Sequence, residues 1–194
     1  MRMKNIFTIF LIAGLLVGCF NKQKIKPLEN SVKVEWTAYK TTDKLPVKGT
    51  FNSVKLEKIG EGISVEEILN EAEFSLNSFD LATGDISRDE KIKKSFFGLM
   101  NEAGTISGKT YLKDNQWFVK LKMNGILVEE VPATVSYENK KLKLTASINL
   151  KDFNALQVLE MLNSVCFDLH KGADGISKVW ETVDVLATME FTEK

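Results

Sequence analysis

The chain has 194 residues, and its 26 basic and 26 acidic side chains give a formal net charge of zero at pH 7. A chain this close to neutral lacks the clustered excess of lysine and arginine that nucleic-acid-binding proteins use, so we expect no nucleic-acid partner. Its length is enough for one domain with a sizeable hydrophobic core.

The N-terminal segment has the features of a bacterial lipoprotein leader. A short basic start is followed by the apolar run 6–17. That run is too short to cross a membrane, which takes about 20 residues, but it has the length and flanks of a secretory signal. Residues 16–19, Leu-Val-Gly-Cys, have the pattern of a lipobox, in which the cysteine is acylated after cleavage. We therefore predict that residues 1–18 are a lipoprotein signal peptide and that Cys19 is the lipid attachment site.

The predicted mature chain carries a small negative charge. Removal of residues 1–18 takes away Arg2 and Lys4 and leaves 24 basic and 26 acidic side chains. Phe20 follows the cysteine where an aspartate would favour retention in the inner membrane, by analogy with lipoprotein sorting. We expect a cell-envelope lipoprotein in the outer membrane, facing the periplasm. Residues 19–30 are polar and aperiodic, which predicts a tether to a single domain over residues 31–194.

The predicted domain alternates apolar and polar residues with a period of two. In its first segment, Val32, Val34, Trp36 and Ala38 fall on one face. This pattern is typical of an antiparallel strand with one buried face. It recurs in seven further segments, at 47–51, 74–77, 106–112, 117–123, 131–137, 142–148 and 183–191. Turn-forming pairs at 114–115, 124–125 and 138–139 predict hairpins between neighbouring segments.

Three stretches, at 64–69, 87–100 and 151–167, have helical periodicity instead. Capping boxes at Ser64–Glu67 and Ser87–Glu90 predict the starts of the first two. The apolar side chains expected on the buried faces of the two longer helices are Ile92, Phe96, Leu99, Phe153, Leu156, Leu159, Leu162 and Cys166. Many strands with a few inserted helices favour a closed or nearly closed antiparallel barrel.

The sequence offers few candidate catalytic residues. His170 is the single histidine of the chain, and Cys166 would remain without a partner once Cys19 is acylated, so no internal disulfide is expected. We interpret Cys166 as a core residue and His170 as a loop residue. The adjacent carboxylates at 66–67, 89–90 and 129–130 are interpreted as solvated faces. We predict no catalytic residue, no metal site and no cofactor, and hence no enzyme.

Several motifs occur in an order that resembles the YceI-like family of polyisoprenoid-binding domains. The matching segments are WTAYK at 36–40, PVKGTF at 46–51, the stretch 78–89 with Arg88-Asp89, FFG at 96–98, ISG at 106–108 and, more loosely, 150–153 and 183–191. The resemblance covers about residues 31–192. It implies a lipocalin-like antiparallel barrel of about eight strands around a long apolar pocket, and binding of an isoprenoid or other long-chain lipid in the periplasm. The insert at 151–167 is longer and more apolar than the family pattern.

The resemblance and the large inward side chains together predict a ligand site inside the barrel. We expect small inward residues, Gly49, Gly108, Ala133, Ala146 and Ala187, to make room for the lipid. The predicted ligand contacts are Trp36, Phe51, Phe74, Leu76, Ile106, Trp117, Val119, Leu121, Val135 and Leu144.

Two other functions remain open on the sequence alone. An eight-stranded barrel is just wide enough either to be filled by side chains or to hold one ligand. A filled barrel would make the protein an envelope interaction lipoprotein without a small-molecule ligand, and the sequence identifies no protein partner for it. An enzyme acting on lipids is disfavoured because the sequence has no nucleophile paired with a base.

Overall fold

The computed structural model describes residues 23–193. The predicted signal peptide and Cys19 lie outside the described residues. The strands are β1 (Ile25–Pro27), β2 (Lys33–Lys40), β3 (Leu45–Phe51), β4 (Val54–Glu57), β5 (Glu73–Asn77), β6 (Leu81–Ala82), β7 (Thr105–Lys113), β8 (Gln116–Met123), β9 (Ile126–Glu138), β10 (Lys141–Asn149) and β11 (Thr182–Glu193). The helices are α1 (Val65–Leu69), α2 (Ile86–Ser95) and α3 (Leu156–Val165), with 3-10 turns at Ser78–Asp80, Phe97–Leu99, Leu150–Phe153 and Phe167–Leu169.

The strands form one antiparallel sheet that curls into a half-barrel. Its order is β4-β5-β7-β8-β9-β10-β11-β2-β3-β6, and β1 pairs with β11. The predicted mainly β, lipocalin-like fold with short helical inserts is confirmed. The eight alternating segments correspond to β2, β3, β5 and β7–β11. The described part has eleven strands because β1, β4 and β6, of two to four residues each, are too short to show a period.

The start of the domain differs from the prediction. Ile25–Pro27 lies within the predicted tether but pairs with Phe191–Glu193 of β11. The backbone N–H of Ile25 also donates to the carbonyl of Gly62 at 2.8 Å. Strand β1 therefore belongs to the sheet, and a tether can extend no further than residue 24.

The hairpin turns follow the predicted chemistry. Asp114 and Asn115, and likewise Asn124 and Gly125, have positive φ between their strands, as tight hairpin turns require. The third turn is displaced by one residue, to 139–140, because Glu138 still pairs with Lys141.

Helix α1 begins as predicted, with the backbone N–H of Glu67 donating to Ser64 Oγ at 3.1 Å. Helix α2 begins two residues earlier than predicted, because Asp85 rather than Ser87 accepts the capping hydrogen bond from the N–H of Arg88. It also ends at Ser95, so Leu99 lies in a 3-10 turn and is 50% exposed. Its predicted place on a buried face was wrong.

The predicted helix over 151–167 is three pieces in the structure. The 3-10 turn Leu150–Phe153 ends at Asn154, whose positive φ breaks the helix before α3 begins. The predicted buried face is nevertheless present, since Phe153, Leu159 and Cys166 are all buried. Helices α2 and α3 pack against each other.

The register of the first strands is fixed by an aromatic side chain over a glycine. Trp36 on β2 pairs with Gly49 on β3, and Trp36 is buried. A Cβ atom at Gly49 would lie 2.3 Å from Trp36 Cζ2. Gly49 is therefore required because no side chain fits beneath the indole.

We expect Gly49→Ala to reduce the free energy of unfolding by about 1–3 kcal/mol, the usual cost of overpacking a rigid core. Gly60→Ala is the matched control, because a Cβ atom there has no neighbour within 4 Å. Urea unfolding of both variants measures the difference. Equal midpoints for the two variants would show that Trp36 does not cover Gly49.

An apolar path with a basic end as the candidate functional site

The inward face of the sheet borders a partly open cavity of about 160 Å³, here called the inner cavity. Aliphatic and aromatic side chains from β2–β5 and β7–β11 dominate its wall. The polar Thr110 in this wall is satisfied, since its Oγ donates to the carbonyl of Leu69 at 2.5 Å. The inner cavity therefore offers contact with apolar groups and almost no hydrogen-bonding partner.

A second, middle cavity of about 120 Å³ lies where α2 and α3 approach the sheet. Helical side chains such as Ile92 and Leu159 supply part of its wall. Phe51, Ile106 and Ile148 line both the inner and the middle cavity. Side chains, rather than a strand, thus separate the two cavities.

A third, outer cavity of about 160 Å³ adjoins the middle cavity, and the three neighbouring cavities are here together called the path. It shares Trp36, Ala38, Ile92, Leu162 and Val179 with the middle cavity. Its other wall carries polar groups, several of them on exposed residues: Lys40, Asp85, Ser87, Arg88, Lys91 and His170. The path is therefore apolar at one end and basic at the other.

Most of the predicted ligand contacts lie along this path. Seven of the ten line the inner cavity, namely Phe51, Phe74, Leu76, Ile106, Val119, Leu121 and Leu144. Trp36 lines the middle and outer cavities. Trp117 and Val135 pack against the hydrophobic core but line none of the three cavities. A period of two identifies the inward face of a strand but not which part of that face borders open space.

The basic residues of the outer cavity were not predicted from the sequence. Lys40 holds the signal that could have revealed them, because it continues the inward series of Val34, Trp36 and Ala38 on β2. A charged residue at an inward position is costly unless it meets a partner, water or a ligand. The sequence predicted an apolar face on α2, but not that this face forms part of the wall of the middle cavity.

The inward glycines do not make room for a ligand, contrary to the prediction. The space above Gly49 holds the ring of Trp36, and a Cβ at Gly108 would lie 2.5 Å from the carbonyl oxygen of Lys120 and 2.6 Å from Phe74 Cζ. Each glycine instead accommodates the aromatic residue with which it pairs across the strands. Among the small inward residues, Ala146 and Ala187 do line the inner cavity.

His170 and Cys166 both line the outer cavity, but neither has the surroundings of a reactive group. The Nδ1 of His170 lies 2.9 Å from Asn163 Oδ1, which also accepts a hydrogen bond from Ser177 Oγ. Burial, together with the nearby charge of Lys40, lowers the pKa of His170 to about 4. Burial raises the pKa of the Cys166 thiol. At neutral pH the imidazole is therefore uncharged and the thiol protonated.

Within residues 23–193, no three histidine, cysteine or carboxylate side chains are grouped so as to hold a metal ion. The same span contains no helix with the length and hydropathy to cross a membrane.

Comparison with solved structures identifies the fold. A polyisoprenoid binding domain from Saccharophagus degradans, implicated in plant cell wall breakdown, superimposes with a TM-score of 0.59 over 89% of this chain and 99% of its own, at 12% identity. BcnA of Burkholderia cenocepacia superimposes with a TM-score of 0.54 over 83% of this chain and 96% of its own, at 15% identity. This is the YceI-like fold. The predicted resemblance is thus confirmed at the level of the fold.

Sequence comparison adds no closer relative. No family model matches the chain, and no curated protein matches it. At 12% and 15% identity, what this chain shares with the two solved structures is the fold.

The lowered pKa of His170 predicts a pH-dependent stability. Between about pH 6.5 and about pH 4 the unfolded chain takes up a proton on this residue and the folded chain does not. The free energy of unfolding should therefore fall as the pH falls through this window. His170→Gln removes the titrating group and keeps a hydrogen-bond donor for Asn163.

We expect the difference in unfolding free energy between about pH 7 and about pH 4.5 to be smaller for His170→Gln than for the parent chain. Urea unfolding at the two pH values measures it. An unchanged pH dependence would show that His170 titrates equally in the folded and unfolded chains.

Proposed function

We propose that this protein is a membrane-anchored periplasmic lipid-binding protein that carries or sequesters an isoprenoid or other long-chain lipid in its barrel, without enzymatic activity. The observation that carries the proposal is the apolar wall of the inner cavity and of the middle cavity beside it. Solved structures with this fold include a domain described as polyisoprenoid binding, which supports the same class of ligand here.

The energetics of such a site are favourable without any polar contact. Burying about ten methylene groups at roughly 0.8 kcal/mol each stabilises the complex by ~8 kcal/mol before the costs of association. The costs of association, at least about 4 kcal/mol, reduce this figure, so the affinity should rise with each further methylene group that the cavities bury.

The cavity volumes indicate how a chain would lie. The inner cavity, at about 160 Å³, is close to the roughly 150 Å³ of an engineered apolar cavity that accepts benzene. One cavity therefore holds a segment of about six carbons. A longer chain must pass Phe51, Ile106 and Ile148 and occupy the middle cavity as well. Rotation of side chains, without a change in strand pairing, would be enough to join the two.

The filled-barrel interaction lipoprotein is a second candidate, favoured by one observation. Met161, Val165, Phe167 and Leu169 on α3 and the turn after it are at least half exposed. Exposed apolar side chains so close together are typical of an interaction surface. Absence of any lipid binding would favour this candidate.

The segment after the predicted signal peptide is suitable for binding experiments. Every described helix and strand lies between Ile25 and Glu193, and the residues of the hydrophobic core all lie in the same span. We therefore expect residues 20–194 to fold without the preceding segment.

Leu121→Lys should weaken binding of a dodecanol probe to delipidated residues 20–194 by at least tenfold. Leu121 is buried in the inner cavity wall, where an unpaired ammonium would face hydrocarbon. Lys120→Gln is the matched control on the outer face, where Lys120 pairs with Glu129 at 2.6 Å. Native mass spectrometry and tryptophan fluorescence measure retention of the probe.

A second, uncharged variant tests the same cavity in case Leu121→Lys does not fold. Ala146→Leu places a larger, uncharged side chain in the inner cavity and so reduces its free volume, and it should also weaken dodecanol binding. If the parent chain binds no dodecanol, or if both cavity variants bind it as the parent does, the lipid-binding proposal is wrong.

The anchoring part of the proposal rests on Cys19, which would carry a diacylglyceryl group and an N-acyl chain. Two or more acyl chains give stable anchoring, at roughly 0.8 kcal/mol per buried methylene. Cys19→Ala in the full chain should abolish incorporation of an acyl analogue and leave uncleaved precursor. Cys166→Ala is the control, and it should be labelled as the parent is. Continued labelling of Cys19→Ala would exclude acylation at this residue.

A further inference from the structure

The sheet is not closed by strand pairing, and its gap borders the inner cavity. Strand β4 ends the strand order on one side, and β3 pairs with β2 and β6 but not with β4. No strand pairing joins β2 to β4 within residues 23–193. This gap is here called the seam. Side chains on both of its sides line the inner cavity, namely Val32, Val34 and Phe51 on one side and Val54, Leu56 and Ile59 on the other.

Side chains rather than paired backbone separate the inner cavity from solvent at the seam. All six of these side chains are half-buried, whereas Leu76, Val119 and Leu121 elsewhere in the wall are buried. Partly exposed side chains change rotamer rapidly, while separating two paired strands leaves backbone groups without partners. The seam is therefore the part of the wall that opens at the lowest cost.

One end of the seam is held by a β-bridge between Ile25 and Gly62. The N–H of Ile25 donates to the carbonyl of Gly62 at 2.8 Å, and the N–H of Gly62 donates to the carbonyl of Ile25 at 3.1 Å. Leu28 and Ile63 lie in the two segments that this bridge joins, and they are 44% and 50% exposed. The bridge therefore brings two exposed aliphatic side chains to the same end of the seam.

The segments on the two sides of the seam also carry an excess of positive charge. Residues 24–33 and 54–63 together contain five lysines and three glutamates. Lys26, Lys33 and Lys55 are exposed and form no ion pair within residues 23–193. Binding to a bilayer strengthens with the apolar area that it buries and with the attraction of lysines to anionic lipids. This end of the seam has both features.

The position of Cys19 in the chain places the same end of the seam near a bilayer. Six residues separate Cys19 from Ile25, and they span at most about 22 Å. Ile25 pairs with Glu193 at one end of β11. The other end of β11, at Thr182, lies about 36 Å away at roughly 3.3 Å per residue, and Val179 just before it lines the outer cavity. An acyl anchor on Cys19 therefore holds the seam, and not the outer cavity, close to the bilayer.

We propose, building on the anchored lipid-binding function above, that the Ile25–Gly62 end of the seam docks on the anionic surface of a lipid bilayer and that lipid passes laterally through the seam into the inner cavity. Leu28 and Ile63 insert among the head groups, and the unpaired lysines contact anionic lipids. The wall of the inner cavity offers almost no hydrogen-bonding partner, so the lipids that pass are those with a small, uncharged polar end.

The test measures transfer of dodecanol from vesicles of phosphatidylcholine and phosphatidylglycerol to delipidated residues 20–194. Stopped-flow tryptophan fluorescence follows the rate at a fixed ratio of dodecanol to phospholipid. The rate for the parent chain should rise in proportion to the vesicle concentration, because transfer requires contact with the bilayer. A rate that does not depend on vesicle concentration would show uptake from water and overturn the proposal.

Leu28→Glu with Ile63→Glu should slow this transfer at least fivefold, because two carboxylates would then meet an anionic surface. Neither side chain lines any of the three cavities, so the affinity for dodecanol added without vesicles should equal that of the parent. Met161→Glu with Val165→Glu is the matched control on α3. These side chains are 52% and 53% exposed and also line none of the three cavities, and this variant should take up dodecanol as fast as the parent.

The remaining outcomes separate this inference from the proposed function. An unchanged rate for Leu28→Glu with Ile63→Glu, or equal slowing of both double variants, would overturn docking at the seam. Slower transfer in the α3 variant alone would place the bilayer contact at α3 and overturn it as well. Absence of dodecanol binding to the parent chain would instead overturn the proposed function itself. Circular dichroism and thermal unfolding confirm that both double variants are folded, and the experiment does not depend on acylation of Cys19.

Discussion

Strand β2 is the element on which the rest of the candidate site depends. It is hydrogen-bonded on both sides, to β11 and to β3, so its inward face cannot rotate toward solvent. Along that face Val34 lines the inner cavity, Trp36 the middle and outer cavities, and Lys40 the outer cavity. A single strand therefore sets the order of environments along the path, from hydrocarbon-like to basic. Because side chains alternate, a slip of one residue would exchange this whole series for polar residues.

Trp36 fixes that register through the glycine beneath it. The indole occupies the space where a side chain at Gly49 would lie. Its Nε1 is buried and has no hydrogen-bond partner in the part of the chain that the structure describes. Loss of a hydrogen bond is a real cost, which the burial of the large ring offsets. Phe74 and Gly108 repeat the arrangement on the opposite part of the sheet. These glycines therefore allow aromatic side chains to pack in the wall, and they do not enlarge the cavity.

The helices make one part of the path apolar and the neighbouring part positively charged. Helices α2 and α3 are placed over the sheet next to the middle cavity, to which they contribute Ile92 and Leu162. The first turn of α2 contributes Arg88 to the outer cavity, and the 3-10 turn that follows α3 contributes Leu169. Apolar contact and positive charge are therefore adjacent in neighbouring cavities.

The sequence by itself determined the strands that are long enough to show a period of two. Eight strands, their inward faces, most hairpin turns and the buried face around Phe153 and Leu159 all follow from local patterns, because burial of one face forces alternation. Short strands such as Ile25–Pro27 lacked enough residues to show a period, and they formed only because Phe191–Glu193 was available as a partner. The tertiary structure alone decided where open space remains inside the barrel. It left Trp117 and Val135 beside the core and placed Lys40 with Arg88 and Lys91, residues of different elements, around one cavity. Such a grouping depends on how distant elements pack, and spacing along the chain does not encode it.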